Sequence, residues 1–267
     1  MAAYLTVLIT GCSDGGIGSA LAAVLQKRDF HVFATARDPS KMRDLEGLPN
    51  VTFLKLDIVK PGDIKAAVEA VAKHTGGNGS LDCLIKNAGR NHFMPILDEN
   101  LDTARGLVEI NFMGPIALTQ TFSPLLLQAK GMVVYIVSTS GYLNIPYMGT
   151  YAASKRSLEI VAETLRLELA PFGVGGLEVV TGAVHLYKSI EPTIAGRAQG
   201  NDELPRMDTV EYAKPVVDDI IMRRTTGRVW YGGFADQVKT STTASGVPQS
   251  AMDQGALMGT GLDPIGR

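Results

Sequence analysis

Short apolar runs alternate with longer amphipathic stretches through the first two-thirds of the chain. The runs at Leu5 to Thr10, His31 to Ala36, Val51 to Leu56, Cys83 to Asn87, Val133 to Ser138 and Leu177 to Thr181 are rich in leucine and β-branched residues. They predict strands buried on both faces. Between them, Ile17 to Lys27, Ile64 to Lys73, Leu107 to Leu126 and Tyr151 to Leu169 repeat apolar residues at three- and four-residue steps, which predicts helices long enough to cross back over a sheet. In the last of these, Leu158, Val161, Leu165 and Leu169 share a stripe, while Arg156, Glu159, Glu163 and Arg166 fall largely on other faces. Pro171 and Gly173 end it.

This alternation predicts an α/β fold, a single Rossmann-type doubly wound parallel sheet with helices on both faces. A length of 267 residues suits one such domain. Past Gly182 the rhythm breaks, and an insertion over about 185–208 is expected, placed where it could cover a site, before a helix from about Val210 to Arg223. From Thr240 onward Gly, Ser, Thr and Ala dominate. We therefore expect one domain over 1–239 and an irregular tail over 240–267.

Composition narrows the partners. A formal net charge of −2 gives no electrostatic reason to expect nucleic acid and leaves a small molecule as the expected partner. Cys12 and Cys83 are the only cysteines and offer neither a disulfide framework nor paired ligand spacing, and His31, His74, His92 and His185 share no spacing, so no metal is expected. The opening MAAYLTVLITG has no charged leader before its apolar run, and no stretch reaches the roughly 18 apolar residues of a membrane helix. A soluble, cytoplasmic protein is the expectation.

The first strand runs into Gly11-Cys12-Ser13-Asp14-Gly15-Gly16-Ile17-Gly18 and then into a helix. Glycines there allow a tight turn and close backbone approach, and the helix N-terminus points unpaired N–H groups at an anion, so Gly11, Ser13, Asp14, Gly16, Ile17 and Gly18 are candidate pyrophosphate-binding residues of a dinucleotide site. Near the end of the second strand, where NAD-specific domains place an acid, Ala36 is followed by Arg37. A guanidinium can pair with a 2′-phosphate, so NADPH is expected; alternatively Arg37 is a solvated loop charge and Asp38 holds the ribose. Asp57 and Ile58 at the third strand's end suit the adenine, although Asp57 could instead cap the helix after Pro61. Asn87, Ala88 and Gly89 close the fourth strand with small residues.

Tyr151 and Lys155 are four residues apart at a helix start, which places both side chains on one face. A neighbouring ammonium is expected to lower the phenol's ordinary value near ~10 and make Tyr151 a proton donor to a developing alkoxide. Such a pair is common by chance, and its context carries more weight. The order T-G-C-S-D-G-G-I-G, N-A-G, Asn111, Ser138 and Y-A-A-S-K closely resembles the short-chain dehydrogenase/reductase family over about residues 4 to 184. The stretches N-A-G-R-N, E-L-A-P-F-G-V and V-V-T-G-A-V look especially like fungal members related to NADPH-dependent acyl-dihydroxyacetone-phosphate reductase.

The resemblance implies Tyr151 as general acid or base, Lys155 as the residue that lowers its pKa and holds the nicotinamide ribose, Ser138 as the group that orients the carbonyl, and Asn111 as support for a relay water. Ser140 is a neighbouring alternative to Ser138. It also implies NADPH as cofactor, a backbone contact near Val184, and a homodimer or homotetramer built on the two long helices. The implied reaction is hydride transfer to a ketone or aldehyde of a small organic substrate, possible in fungal secondary metabolism. The alternatives are a non-redox step on the same fold (dehydration, isomerisation or cyclisation), or a nucleotide-binding protein without chemistry. Departures from the family's pattern are Lys86 where an asparagine is usual, Thr181-Gly182 for Pro-Gly, His185-Leu186 where a threonine often contacts the carboxamide, and a polar tail where the acyl-lipid relatives often carry an apolar end. His92, His185, Tyr142, Tyr147, Met94 and Met148 follow the sheet-end motifs and are expected either to line the pocket or to serve as packing.

Overall fold

The computed structural model describes residues 4–76, 79–143, 145, 147–184 and 206–242. Seven strands, β1 (Leu5–Thr10), β2 (Phe30–Ala36), β3 (Val51–Lys55), β4 (Cys83–Lys86), β5 (Met132–Ser138), β6 (Gly175–Thr181) and β7 (Gly227–Tyr231), form one parallel sheet in the order β3-β2-β1-β4-β5-β6-β7. Parallel neighbours need crossovers, and the helices between strands supply them. On one face lie α1 (Ile17–Gln26) and α6 (Thr209–Pro215), whose Leu21, Leu25 and Tyr212 pack with Val7, Ile9 and Val134 of the sheet. On the other lie α2 (Pro61–His74), α4 (Gly114–Ala129) and α5 (Gly149–Leu169), whose Ile64, Phe122 and Leu158 pack with Leu8, Leu84 and Val133. Successive strand residues thus feed opposite cores, which is why the strands read as continuous apolar runs.

The strand order reverses between β1 and β4, so their carboxyl ends open a crevice at the switch point, the position where this architecture places ligands. Four features depart from the sequence reading. The helix expected from Leu107 begins as α3 (Leu101–Val108) and passes through a π-helical turn at Glu109–Met113 before α4. The helix expected over Val210 to Arg223 ends at Pro215 and continues as a π turn, Val216–Ile221. Strand β7 and α7 (Ala235–Thr242) were not expected at all, and α7 moves the start of the tail past Thr240. Of the expected insertion, 185–205 lies outside the described residues, as does 243–267; Met207 forms a parallel bridge with Val184.

Candidate active site

The glycine loop is held by the ends of its neighbours. Gly11 and Cys12 donate their amides to the Thr35 carbonyl on β2, at 3.0 and 2.9 Å. Gly11 and Gly15 adopt φ of +75° and +70°, which β-carbon-bearing residues rarely take. A Cβ on Gly11 would lie 2.9 Å from Ala88 Cα, and one on Gly18 would overlap the Gly11 carbonyl. The N-terminus of α1 has Gly16 as its cap, with no capping side chain and no acidic residue in the first turn. Its amides are therefore free to meet an anion, and the loop, Ile17 and Gly18 fit a dinucleotide's pyrophosphate.

Asp14 is engaged elsewhere: its carboxylate accepts from Arg43 Nε at 3.0 Å and from the Asp44 amide at 2.9 Å, bracing the loop; burial acts to raise its carboxyl, but these bonds win and hold it low. Ser13 contributes its carbonyl to the Gly16 amide. Arg37 is exposed just past β2, and the Asp38 carboxylate accepts from Ser40 Oγ and the Ser40 amide at 2.8 and 3.1 Å. Through Oδ1, Asp38 caps its own turn. Asp57 lies two residues beyond β3 and not at its end; it accepts from the Val59 amide, and its amide donates to Asp63. The cap residue of α2 is Lys60, so Asp57 does not fill that alternative role. Ile58 is buried, and its carbonyl would be 3.0 Å from a Cβ on Gly114.

Asn87 Nδ2 donates to the Thr10 and Gly11 carbonyls, and the Asn87 and Ala88 amides both donate to Thr10 Oγ at 3.0 Å. Thr10, which sequence reasoning missed, therefore ties the carboxyl ends of β1 and β4 together. Beyond them, a Cβ on Gly89 would lie 3.2 Å from both Asn111 Oδ1 and Lys155 Nζ, so these two groups converge over the end of β4. Asn111 is wholly buried in the π turn; its Oδ1 accepts from the Arg90 amide at 2.8 Å and its Nδ2 donates to the Arg90 carbonyl and to Ser154 Oγ. Ser154, between Tyr151 and Lys155, is a second residue no spacing had marked.

Tyr151 and Lys155 lie in the first turns of α5, and Ser138 ends β5. The Ser138 hydroxyl neighbours the Tyr151 phenol, and its Oγ accepts from the Ser140 amide at 3.2 Å, so Ser138 and not Ser140 stands beside the tyrosine. The expected lowering of the phenol does not appear: burial pushes Tyr151 up, and the neighbouring Ser138 hydroxyl only partly opposes it. Lys155 Nζ donates to the Ile136 carbonyl at 3.2 Å, and burial brings its ammonium down to about 8, against the pull of Glu159. The set can hold a carbonyl oxygen against two hydroxyls and hand it a proton, with an ammonium and an amide alongside.

A profile described as short chain dehydrogenase matches residues 5–189. The chain belongs to the short-chain dehydrogenase/reductase family. Short-chain dehydrogenase PC-15 from Penicillium crustosum is 45% identical over 242 residues, covering 85% of this chain and 88% of its own length. The NADPH-dependent 1-acyldihydroxyacetone phosphate reductase of Schizosaccharomyces pombe is 40% identical over 192 residues, covering 72% of this chain and 64% of its own. A short-chain dehydrogenase from Streptomyces avermitilis superposes with a TM-score of 0.78 at 27% identity, over 92% of this chain and 94% of that one.

Membership in the short-chain dehydrogenase/reductase family makes the departures informative. Lys86, at the family's usual asparagine, points into the core: it is 2% exposed, hydrogen-bonds Thr119 Oγ and lies 3.2 Å over the Tyr135 ring. It does not reach the sheet-end bonds, which Asn87 and Thr10 make. Val184 is half-buried beside the core, while His185 and Leu186 lie outside the described residues. Tyr142 packs against Trp230, with ring centroids 4.6 Å apart and planes tilted by 50°, and the Arg156 guanidinium lies over its face. His92 is bonded through Nε2 to Glu99 at 2.8 Å. Tyr147 is exposed, and its carbonyl accepts from the Met94 amide, while Met148 is buried. No helix among the described residues is long and apolar enough to cross a membrane.

Proposed function

We propose that this protein is an NADPH-dependent reductase of ketone or aldehyde carbonyls on a small organic substrate, with Tyr151, Ser138, Lys155 and Asn111 as its catalytic residues. The observation that carries this reading is the convergence of those four side chains at the carboxyl ends of β4 and β5, beside the switch-point crevice. The bound dinucleotide supplies the hydride that the carbonyl carbon accepts. Ser138 and Tyr151 hydrogen-bond the carbonyl oxygen; as its π pair becomes an alkoxide, the phenol proton transfers to it. A raised Tyr151 keeps its proton at neutral pH, which suits the donor role in reduction. Lys155 and Asn111, meeting at Gly89, hold positive charge and a hydrogen-bonding amide next to the phenolate that results.

The preference for NADPH is supported by an exposed Arg37, by the engagement of Asp38 with Ser40, and by the similarity to the fission-yeast reductase whose name states that dependence. Consumption of NADPH and of NADH should be followed by absorbance with aliphatic, aromatic and polyketide-like ketones, with Tyr151→Phe in parallel. Turnover with NADPH is expected, reduced at least ~100-fold in the variant while cofactor binding stays largely intact. Full turnover in Tyr151→Phe would overturn the assignment, and substrate conversion without cofactor consumption would favour a non-redox step.

A further inference from the structure

The glycine loop is fastened to the segment that follows β2. That segment makes two short helical turns, Pro39–Lys41 and Arg43–Leu45. Met42 and Leu45, 0% and 1% exposed, sink into the core that also takes Leu21 and Leu25 of α1, so the segment is anchored independently of the loop. From this anchor Asp44 and Asp14 make a reciprocal pair of bonds. The Asp44 amide donates to Asp14 Oδ1 at 2.9 Å, and Asp44 Oδ2 accepts from the Gly15 amide at 3.0 Å. Two more bonds complete the clasp, from the Asp14 amide to the Lys41 carbonyl at 2.7 Å and from Arg43 Nε to Asp14 Oδ2 at 3.0 Å.

The clasp sorts the amides of the loop. Those of Gly11, Cys12, Asp14, Gly15 and Gly16 all donate within the protein, to Thr35, Lys41, Asp44 and Ser13. Ile17, Gly18 and Ser19 open α1, and the amides of a helix's first turn have no intrahelical partner. Gly15, at φ +70°, is therefore the joint between the fastened half of the loop and the half whose amides can meet a pyrophosphate. Two adjacent glycines lose more conformational freedom on ordering than any other pair, which weakens binding unless the loop is already held. By charge alone an exposed carboxylate beside an anion site opposes binding, so what Asp44 adds there is its bond to Gly15.

We propose that Asp44 is a positioning residue for the dinucleotide: with Asp14 as its counterpart it holds Gly15 in the binding conformation before the cofactor arrives, a role that rests on the reading of this loop as the pyrophosphate site. Asp44 acts through the loop backbone and not by touching the cofactor.

The test is the dissociation constant of NADPH and of NADH, read from nucleotide fluorescence without substrate, for the wild type, Asp44→Ala and Asp44→Asn. Asp44 is exposed, so both variants are expected to fold. Loss of the acceptor in Asp44→Ala should weaken both cofactors by a similar factor, about 5–10-fold, from one charge-assisted bond and the added ordering of the loop. Asp44→Asn keeps an oxygen for the Gly15 amide and should recover most of that loss. In the cofactor-free protein the Gly15 amide should exchange faster in Asp44→Ala and near the wild-type rate in Asp44→Asn. During turnover, KM for NADPH should rise in Asp44→Ala while kcat at saturating NADPH holds. Binding by Asp44→Ala as tight as the wild type or tighter, as charge removal alone would give, would overturn the proposal. So would equal weakening in the two variants, or a loss confined to NADPH, which would place the effect at the 2′-phosphate. A wild type that binds the dinucleotide but reduces no carbonyl would refute the reductase reading alone, and one that binds neither dinucleotide would refute both.

Discussion

At the scale of single residues, Lys86 shows most clearly how local chemistry and stability part company. Its amine has one hydrogen bond and the Tyr135 face for company, and burial holds its pKa well below the usual lysine value. A cation over an aromatic ring contributes up to ~2 kcal/mol, less than the several kcal/mol that desolvating an ammonium costs. Between the lowered folded value and the unfolded value near ~10.4, the unfolded chain binds the proton and the folded one does not, so stability rises with pH across that window. Lys86→Met should therefore stabilise the protein at pH 7 by about 1–4 kcal/mol and flatten this dependence, as read by urea unfolding at neutral and alkaline pH. A loss of stability at pH 7 would show that the lysine is held as a net favourable ion. Tyr151 and Lys155 were legible because one helix carries both at a fixed spacing, and Ser138, Asn111 and the glycines because their order resembles a family. Thr10 and Ser154 were not, since what makes them matter is contact across the sheet or between one helix and the next, which no spacing displays.

At the scale of elements, the segment ahead of α3 is fastened to the helix that carries Tyr151. Glu99, with a side chain 5% exposed, takes His92 Nε2 on one oxygen at 2.8 Å and Thr150 Oγ on the other at 3.0 Å. The Met94 amide donates to the Tyr147 carbonyl at 2.7 Å, and a Cβ on Gly149 would press on Ile96. These contacts place residues 92–99 as a wall beside the first turn of α5. Glu99→Ala removes both side-chain bonds and should cost about 2–3 kcal/mol, since hydrogen bonds to charged groups contribute ~1.5–3 kcal/mol each and part of the loss is recovered by hydration. In steady-state kinetics the carbonyl substrate's KM should rise more than kcat falls, because the wall loosens while the proton donor stays; an equal fall in kcat with unchanged KM would place the effect on Tyr151 itself. The elements legible in the sequence were those with long, clean periodicity. Strand β7 is a five-residue edge strand that periodicity alone cannot separate from other short apolar runs, and α7 hides its two buried contacts, Ala235 and Val238, in a Ser/Thr-rich stretch of weak helix formers. The π turn at Asn111 leaves the apolar rhythm of α3 and α4 unbroken, so the sequence reads as one helix.

At the scale of the whole molecule, the two faces of the sheet end differently. The α2, α4 and α5 layer fills its core with Leu118, Phe122, Leu125, Leu126 and Leu158, yet still presents large apolar side chains outward: Met113 at 44% exposure beside α4, Leu127 at 40% near its end, and Ile160 at 60% midway along α5. Isolated exposed apolar residues need no explanation, but α4 and α5 run 16 and 21 residues over one face, long enough for a second copy to pack against them through a self-complementary two-fold patch. A dimer on this face would also bear on the site, because the outer side of α5 is the reverse of the face that carries Tyr151, Lys155 and Glu159. Sedimentation at micromolar concentration should then give a dimer or a larger even assembly. Ile160→Glu should shift it toward monomer, since a charge repeated across the two-fold axis meets its own copy in a desolvated contact. The same variant should lower turnover only modestly, as Ile160 points away from the crevice. A wild type that sediments as monomer would assign the exposed Ile160 to ordinary surface, and a monomeric variant with lost turnover would mean that the partner steadies α5 in its catalytic position.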